Sequence, residues 1–282
     1  RAIAALEQLH AEQEDWPGYI TLLEKKLEGA YTRKQRIEIL LELGEVAYSR
    51  LGDEEKARRI FLRICDLSPF NTRARRYLQR IYVTRRAWPK LIELYQPRDD
   101  WEGYLKLLDE FSEESNDSDL VADIQVERSR VQATFLNDSH AVVHSLERAL
   151  TANPNRLDIA QSLLKHYTDS APLERQLAAH TAVASLSQNT EEKEASWRKL
   201  ATLRTDPAGI YQAWSETLLV SSKRGSIEGI DEFERSMHGM GDWVLTAETL
   251  STVLANIPKA SAPARIRIHR SLGQIAREQL KY

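Results

Sequence analysis

Three arginines in one short segment are the residues of this sequence best suited to bind a ligand. Arg73, Arg76 and Arg80 are three and four residues apart, so a helix over this segment places them on one face. Thr84 follows one turn later. Neighbouring guanidinium groups repel one another and bind carboxylates or phosphates in a bidentate manner. The segment therefore predicts a surface that attracts an acidic group.

The same arginines have an alternative use as ion-pair partners within the protein. The preceding helical segment carries Glu38, Glu42 and Glu45, which are acidic groups within reach if the two segments pack side by side. Under that interpretation the arginines and these glutamates form a solvated surface of mixed charge. Both interpretations are compatible with the spacing.

No combination of residues predicts catalysis. His140, His144 and Glu147 would share a helix face and resemble a metal site, but Ala141 stands where a zinc protease helix has its catalytic glutamate. Cys65 lies on an apolar stripe, where a thiol packs in the core and does not act as a nucleophile. The acidic clusters lie at turns and helix starts, where they cap N–H groups. We therefore expect no enzyme activity, no metal and no cofactor.

Composition indicates which elements position these residues. Among 282 residues only 11 are Gly and 9 are Pro, too few turn formers for many short strands, and good helix formers dominate. We therefore expect an all-α protein. The net charge of −3 provides no global attraction to nucleic acid or anionic lipid. No apolar run approaches the roughly 18 residues of a membrane span. The single cysteine favours a cytoplasmic location without establishing it.

The clearest structural unit is a helix pair over residues 36–69. Two apolar stripes at helical spacing are separated by Leu51-Gly52-Asp53, and Ser68-Pro69 ends the second one. Neither stripe is stable alone, so each helix must pack against the other and against a neighbouring pair. The stripes consist of Ile37, Leu40, Leu41, Leu43 and Ala47, then Ala57, Ile60, Phe61, Ile64 and Leu67.

This unit resembles the tetratricopeptide repeat. The matching residues are Leu43-Gly44, Gly52-Asp53, Ala57, Phe61 and Pro69, with one extra residue in the turn. The resemblance implies a right-handed α-solenoid of antiparallel helix pairs, in which small residues such as Gly44 and Ala57 allow close helix approach. Similar landmarks recur along the chain. They include Leu78, Trp88, Leu146, Pro154, Trp197, Leu200, Trp243, Pro258 and Leu272-Gly273.

The recurring landmarks predict about seven to eight degenerate repeats. We assign 1–111 to N-terminal repeats, 112–118 to a loop or joint, and 119–282 to C-terminal repeats of which the last is truncated. Asp15-Trp16-Pro17-Gly18-Tyr19 and Asp100-Trp101-Glu102-Gly103-Tyr104 are near copies, which indicates internal duplication. We interpret residues 88–95 as a shortened helix, 96–99 as its turn and 101–111 as a full helix.

The tryptophans have a structural interpretation in this scheme. Trp16, Trp88, Trp101 and Trp243 fall at starts of second helices, where the family has a large aromatic residue between the helices of a pair. Trp214 has the least regular position, and we expect it to be the most exposed.

The resemblance also implies a function. In tetratricopeptide repeats the outward positions of first helices line a concave groove, and here those positions are Arg73, Arg76, Arg80 and Thr84, with Glu38 and Glu45 on the preceding helix. Family members that hold a peptide carboxylate use mostly Lys and Asn, whereas this chain has Arg. We expect a scaffold that binds a protein or peptide, acidic where it meets these arginines.

Two other functions remain as alternatives, an RNA-binding helical repeat and a regulatory or recruiting region of a larger enzyme. Nucleic acid is the less favoured partner because the first helices carry mixed charge. Arg1 and Tyr282 both lie within a helical pattern, so we expect the chain to be part of a longer protein. The last helix, from Arg265 to Tyr282, is expected to expose an apolar stripe and to mediate self-association. The stripe comprises Ile266, Ile268, Leu272, Ile275 and Leu280.

Overall fold

The computed structural model describes residues 2–168, 171–224, 226–259 and 261–281, with the backbone alone for 2–4. These described residues form sixteen α-helices and include no strand, which confirms the all-α prediction. Helices that are neighbours in the chain pack together in sequence order. The helices divide into two compact units, Arg1–Val131 and Gln132–Tyr282.

The first unit contains eight α-helices. Each helix packs on the next along the chain, and most of the buried apolar residues belong to one cluster. The helices are α1 (Ala2–Glu12), α2 (Trp16–Glu28), α3 (Arg33–Ser49), α4 (Glu54–Leu67), α5 (Thr72–Thr84), α6 (Trp88–Tyr95), α7 (Trp101–Glu114) and α8 (Ser118–Val131).

The second unit opens with a short π-helix, Gln132–Leu136, followed by eight α-helices. Packing again follows the chain from α9 to α14, whereas α15 packs mainly on α13 and α16. The helices are α9 (Ser139–Ala152), α10 (Leu157–His166), α11 (Leu173–Leu186), α12 (Thr190–Leu203), α13 (Pro207–Lys223), α14 (Glu228–Met240), α15 (Trp243–Asn256) and α16 (Ala262–Glu278).

The helix pair expected over 36–69 is confirmed as α3 and α4. A capping box between Thr32 and Gln35 begins α3, and Gly52 adopts a left-handed φ of 65° in the turn. Where the two helices cross, a Cβ on Gly44 would lie 2.7 Å from the Phe61 ring. Phe61 is fully buried and stacks on Tyr77 at 4.6 Å between ring centroids. A small residue at position 44 is thus a requirement of this crossing.

The duplication inferred from sequence extends to tertiary contacts. In both copies an aspartate caps the helix, since Asp15 accepts from the Gly18 N–H and Asp100 from the Gly103 N–H. In both, the tyrosine hydroxyl then donates to a glutamate 23 residues later, and these bonds join α2 to α3 and α7 to α8. The donor and acceptor pairs are Tyr19 with Glu42 and Tyr104 with Glu127.

The irregular stretch between α5 and α8 is organised largely as expected. The shortened helix is α6, a single 3-10 turn at Gln96–Arg98 follows it, and Asp99 has a left-handed φ of 53° before α7. The segment 112–118 is mostly helical, because α7 continues to Glu114 and α8 begins at Ser118. Only 115–117 form a loop, and the compact units divide later, at Val131.

Two expectations about exposure are wrong. Trp214 is only 3% exposed, because α13 is surrounded by α12, α14 and α15, and its ring packs edge-on against Phe233. On α16, Ile268 and Ile275 are buried in the core shared with α15, whereas Ile266 is exposed. The expected apolar end is therefore mostly covered within the described residues, and Tyr282 lies outside them.

Candidate partner-binding surface

Helix α5 separates its arginines from its core. Asn71 caps the helix by accepting from the Ala74 N–H, and the residues at core spacing, among them Leu78 and Tyr82, are buried. Arg73, Arg76, Arg80 and Thr84 lie on the opposite side, and all four are exposed. We call this row of four side chains the α5 face. The helical phase alone positions it, because turning α5 to bury the arginines would expose its apolar stripe.

Two of these arginines are paired with acids from other helices. Arg73 donates to Glu45 on α3 at 2.6 Å, and Arg80 lies 3.4 Å from a carboxylate oxygen of Glu114 on α7. The first pair is the contact that the internal ion-pairing alternative predicts. Both arginine side chains stay more than half exposed, so these pairs contribute at most about 1 kcal/mol each.

Arg76 is different because it has no ion-pair partner among the described residues. Glu38, on the exposed side of α3, likewise lacks one there. Arg76 contributes to the wall of a cavity of about 330 Å³ beside α5. The α5 face therefore combines two solvent-exposed pairs at its edges with one uncompensated guanidinium between them.

The cavity brings together further groups that sequence reasoning missed. Arg98 lies over the ring of Phe70, with its guanidinium carbon 4.2 Å from the ring centroid. Arg75 lies over Tyr95 at 5.7 Å and donates to the Leu94 carbonyl at 2.7 Å. Cation–π contacts of this kind hold guanidinium groups in place. Three arginines thus meet at one cavity.

Acidic groups also line this cavity and limit its positive charge. Asp100 and Glu110 contribute to its lining, together with Gln79. Burial raises the pKa of Tyr95 to about 12, and Gln79 donates to its hydroxyl at 2.7 Å, so this phenol is neutral at physiological pH. The arrangement offers fixed donors and aromatic surface but no nucleophile or activated base.

Glu147, the third residue of the set that resembles a metal site, is bound by other side chains. Glu147 accepts from Arg175 at 2.5 Å and from the Tyr167 hydroxyl at 3.1 Å, so its carboxylate faces α11 and the end of α10. His140 and His144 are exposed. Across the ranges that the structure describes, no group of three or more His, Cys, Asp or Glu is arranged to hold a metal.

Cys65 is half-buried on α4, and burial raises the pKa of its thiol, an effect that nearby Arg75 opposes. A raised pKa leaves the thiol protonated at neutral pH, which is the opposite of an activated nucleophile. The core position expected from the sequence is consistent with this environment.

Comparison with known proteins provides no independent assignment. No protein-family model matches the chain, and no curated protein is significantly similar to it. Within the described residues no helix is both long and apolar enough to cross a membrane.

Proposed function

We propose that this chain is a protein-interaction scaffold, built as a right-handed α-solenoid of helix pairs similar to tetratricopeptide repeats. Its α5 face binds an acidic peptide or an acidic segment of a partner protein. The observation that carries this proposal is Arg76, an exposed guanidinium without an ion-pair partner among the described residues, flanked on one helix face by Arg73 and Arg80.

The arginines of the α5 face can exchange their present glutamate partners for carboxylates of a ligand. A ligand carboxylate can replace Glu45 at Arg73 or Glu114 at Arg80, because both existing pairs are exposed to solvent and each is weak. Arg76 supplies donors that require no displacement. Bidentate contacts to two or three carboxylates would give affinity and orientation together.

The adjoining cavity adds a position for one side chain of the ligand. Phe70 is 67% exposed, although Arg98 covers one side of its ring. Exposed aromatic and arginine residues are the types that dominate binding energy at protein interfaces. A peptide with an apolar or aromatic residue next to its acidic group fits this combination.

A charge-reversal experiment tests the proposal. Arg73, Arg76 and Arg80 are replaced together by Glu, and proteins retained from a lysate of the source organism are compared with those retained by the unchanged chain. The matched control carries Arg33→Glu, Arg59→Glu and Arg63→Glu, which makes the same change in net charge at exposed positions outside the α5 face.

The expected result is loss of at least one partner with the α5 variant and retention of that partner by the control. Equal retention by all three proteins would contradict the assignment of the α5 face. Filter binding of mixed single-stranded RNA, repeated at several salt concentrations, separates the RNA-binding alternative. Salt-dependent RNA binding that the α5 variant abolishes would favour that alternative. Recruitment by a larger enzyme is compatible with the scaffold and would appear as an enzyme subunit or substrate among the partners.

A further inference from the structure

The second unit carries a wide, mostly apolar concave surface of its own. It is a groove of about 930 Å³ between α9 and α11, with the end of α10 as part of its floor. We call it the α9–α11 groove. Its apolar lining includes Leu150, Leu163, Leu177, Ala178, Ala182 and Leu186.

The helix that lies between α9 and α11 in the chain is short. Helix α10 has 10 residues, whereas α9 and α11 have 14 each. At 1.5 Å per residue, α10 is roughly 15 Å long, whereas α9 and α11 are each roughly 21 Å long. Helix α10 is thus roughly 6 Å shorter than the two helices that supply most of the groove lining.

The α11 wall has the spacing and the small side chains of a helix-packing ridge. Ala178, Thr181, Ala182 and Ser185 recur at intervals of three, one and three residues along the groove. Residues at this spacing form the ridges that interlock when helices pack, and small side chains allow close approach. Ala178, Thr181 and Ser185 are exposed.

The rim of the groove has a net formal charge of +1, from two arginines and one carboxylate with His144 neutral. Arg175, His144 and Arg148 line it and are all exposed, whereas its one carboxylate, on Glu147, is mostly buried. Glu147 is already bound by Arg175 and by the Tyr167 hydroxyl. An occupant with acidic groups beside its apolar surface is therefore electrostatically complementary to this rim.

We propose that the α9–α11 groove docks an amphipathic helix of a partner protein, with an apolar stripe facing α11 and acidic residues meeting the rim. A helix satisfies its own backbone N–H and C=O groups, whereas an extended peptide would bury unpaired ones against Leu and Ala side chains. Helix docking in an apolar groove uses residues at i, i+3, i+4 and i+7. The groove walls run for about three helical turns, which matches such a set.

The probe is a fluorescein-labelled, hydrocarbon-stapled helix of 18 residues with leucines at that spacing and glutamates at the other positions. Fluorescence anisotropy measures its binding to the full chain. A second probe has lysine in place of each glutamate. The groove is blocked by Ala178→Trp, which places a large ring at an exposed groove position. Ala255→Trp, at an exposed alanine of α15, is the matched control.

We expect saturable binding of the glutamate probe, at least tenfold weaker binding of the lysine probe, and at least tenfold loss with Ala178→Trp. The control variant should bind like the unchanged chain, and circular dichroism should show unchanged helix content in both variants. Absence of binding at millimolar protein, or equal binding by Ala178→Trp, would overturn the proposal. Stoichiometric binding of cis-parinaric acid that Ala178→Trp prevents, without binding of the helix, would assign the groove to a small acidic amphiphile instead.

Discussion

Replacing Gly44 by alanine examines the contact on which the α3–α4 pair depends. The added Cβ would lie 2.7 and 2.8 Å from two atoms of the Phe61 ring, which is closer than carbon atoms pack. The ring cannot move away freely, because Phe61 is fully buried and stacked against Tyr77 with an interplanar angle of 3°. The helices must therefore separate, or the ring must tilt, by about 0.7 Å to lengthen the 2.7 Å contact to an ordinary 3.4 Å.

The magnitude follows from two opposing effects. Overpacking of a dense core costs about 1–3 kcal/mol, whereas alanine is better than glycine within a helix by up to about 1 kcal/mol. We expect Gly44→Ala to lower the free energy of unfolding of the first unit by about 1–2 kcal/mol. Urea denaturation followed by circular dichroism and tryptophan fluorescence measures this change.

Gly273 provides a matched control in α16, since it also follows a leucine in a helix. A Cβ there has no atom within 4 Å, so only the helix preference remains and Gly273→Ala should stabilise the second unit by about 0.5–1 kcal/mol. The prediction is thus a difference in sign between two identical substitutions. Stabilisation by Gly44→Ala equal to that by Gly273→Ala would refute the argument that close packing selects glycine at position 44.

Three further predictions concern polar groups, two of them largely buried and one a helix cap. Glu127 is 2% exposed, and burial raises the pKa of its carboxyl in the folded state. The stability that this carboxyl contributes is therefore greatest at a pH below its pKa in the unfolded chain. That contribution is lost as the pH rises through its pKa in the folded protein. Glu127→Gln keeps an acceptor for Tyr104 and should leave stability at pH 7 unchanged or raise it by up to about 1 kcal/mol; a loss above that amount in urea denaturation would contradict this. Burial, with a smaller effect of Lys199, lowers the pKa of His180 to about 4. As the pH falls, this histidine is therefore protonated in the unfolded chain before it is protonated in the folded protein. The free energy of unfolding should decrease as the pH drops from about 6.5 towards 4. His180→Gln should reduce this pH dependence, which thermal melts of both proteins at matched pH values measure. Asp100→Ala removes the cap of α7 and should cost about 1 kcal/mol, whereas unchanged stability would show that water caps the helix equally well.

Much of the local structure was predictable because it depends on short spacings. The apolar stripes, Gly52 and Pro69 define α3 and α4 without reference to the rest of the chain. The near copies at Asp15 and Asp100 predicted two equivalent helix starts. Their glutamate partners, Glu42 and Glu127, were missed although they share the same offset. A hydrogen bond between helices has no sequence pattern of its own, and only the duplication would have indicated it.

The surroundings of the α5 face were harder to predict. The phase of α5 follows from its apolar residues, so the exposure of Arg73, Arg76 and Arg80 was predictable. The contributions of Arg98 and Glu114 depend on a 3-10 turn and on the register of α7, which spacing rules do not determine. Two sequence features indicated the cavity. One was Phe70, which precedes the cap of α5, and the other was Arg98, which lies in a turn. The burial of Trp214 depends on three helices around α13, and its own helix gives no sign of this.

The stacking of helix pairs into an elongated array is the claim on which the proposed function depends most. A compact globule of 282 residues has a radius of gyration of about 19 Å. If the sixteen α-helices of the described residues stack as the proposed pairs in one line, an interaxial spacing of 8–10 Å would extend them over roughly 70 Å and give a radius of gyration of about 22 Å or more. Small-angle X-ray scattering of the monomeric chain measures this quantity directly. We expect a value of at least about 22 Å with an asymmetric distance distribution, and a value near 19 Å with a symmetric distribution would contradict the solenoid.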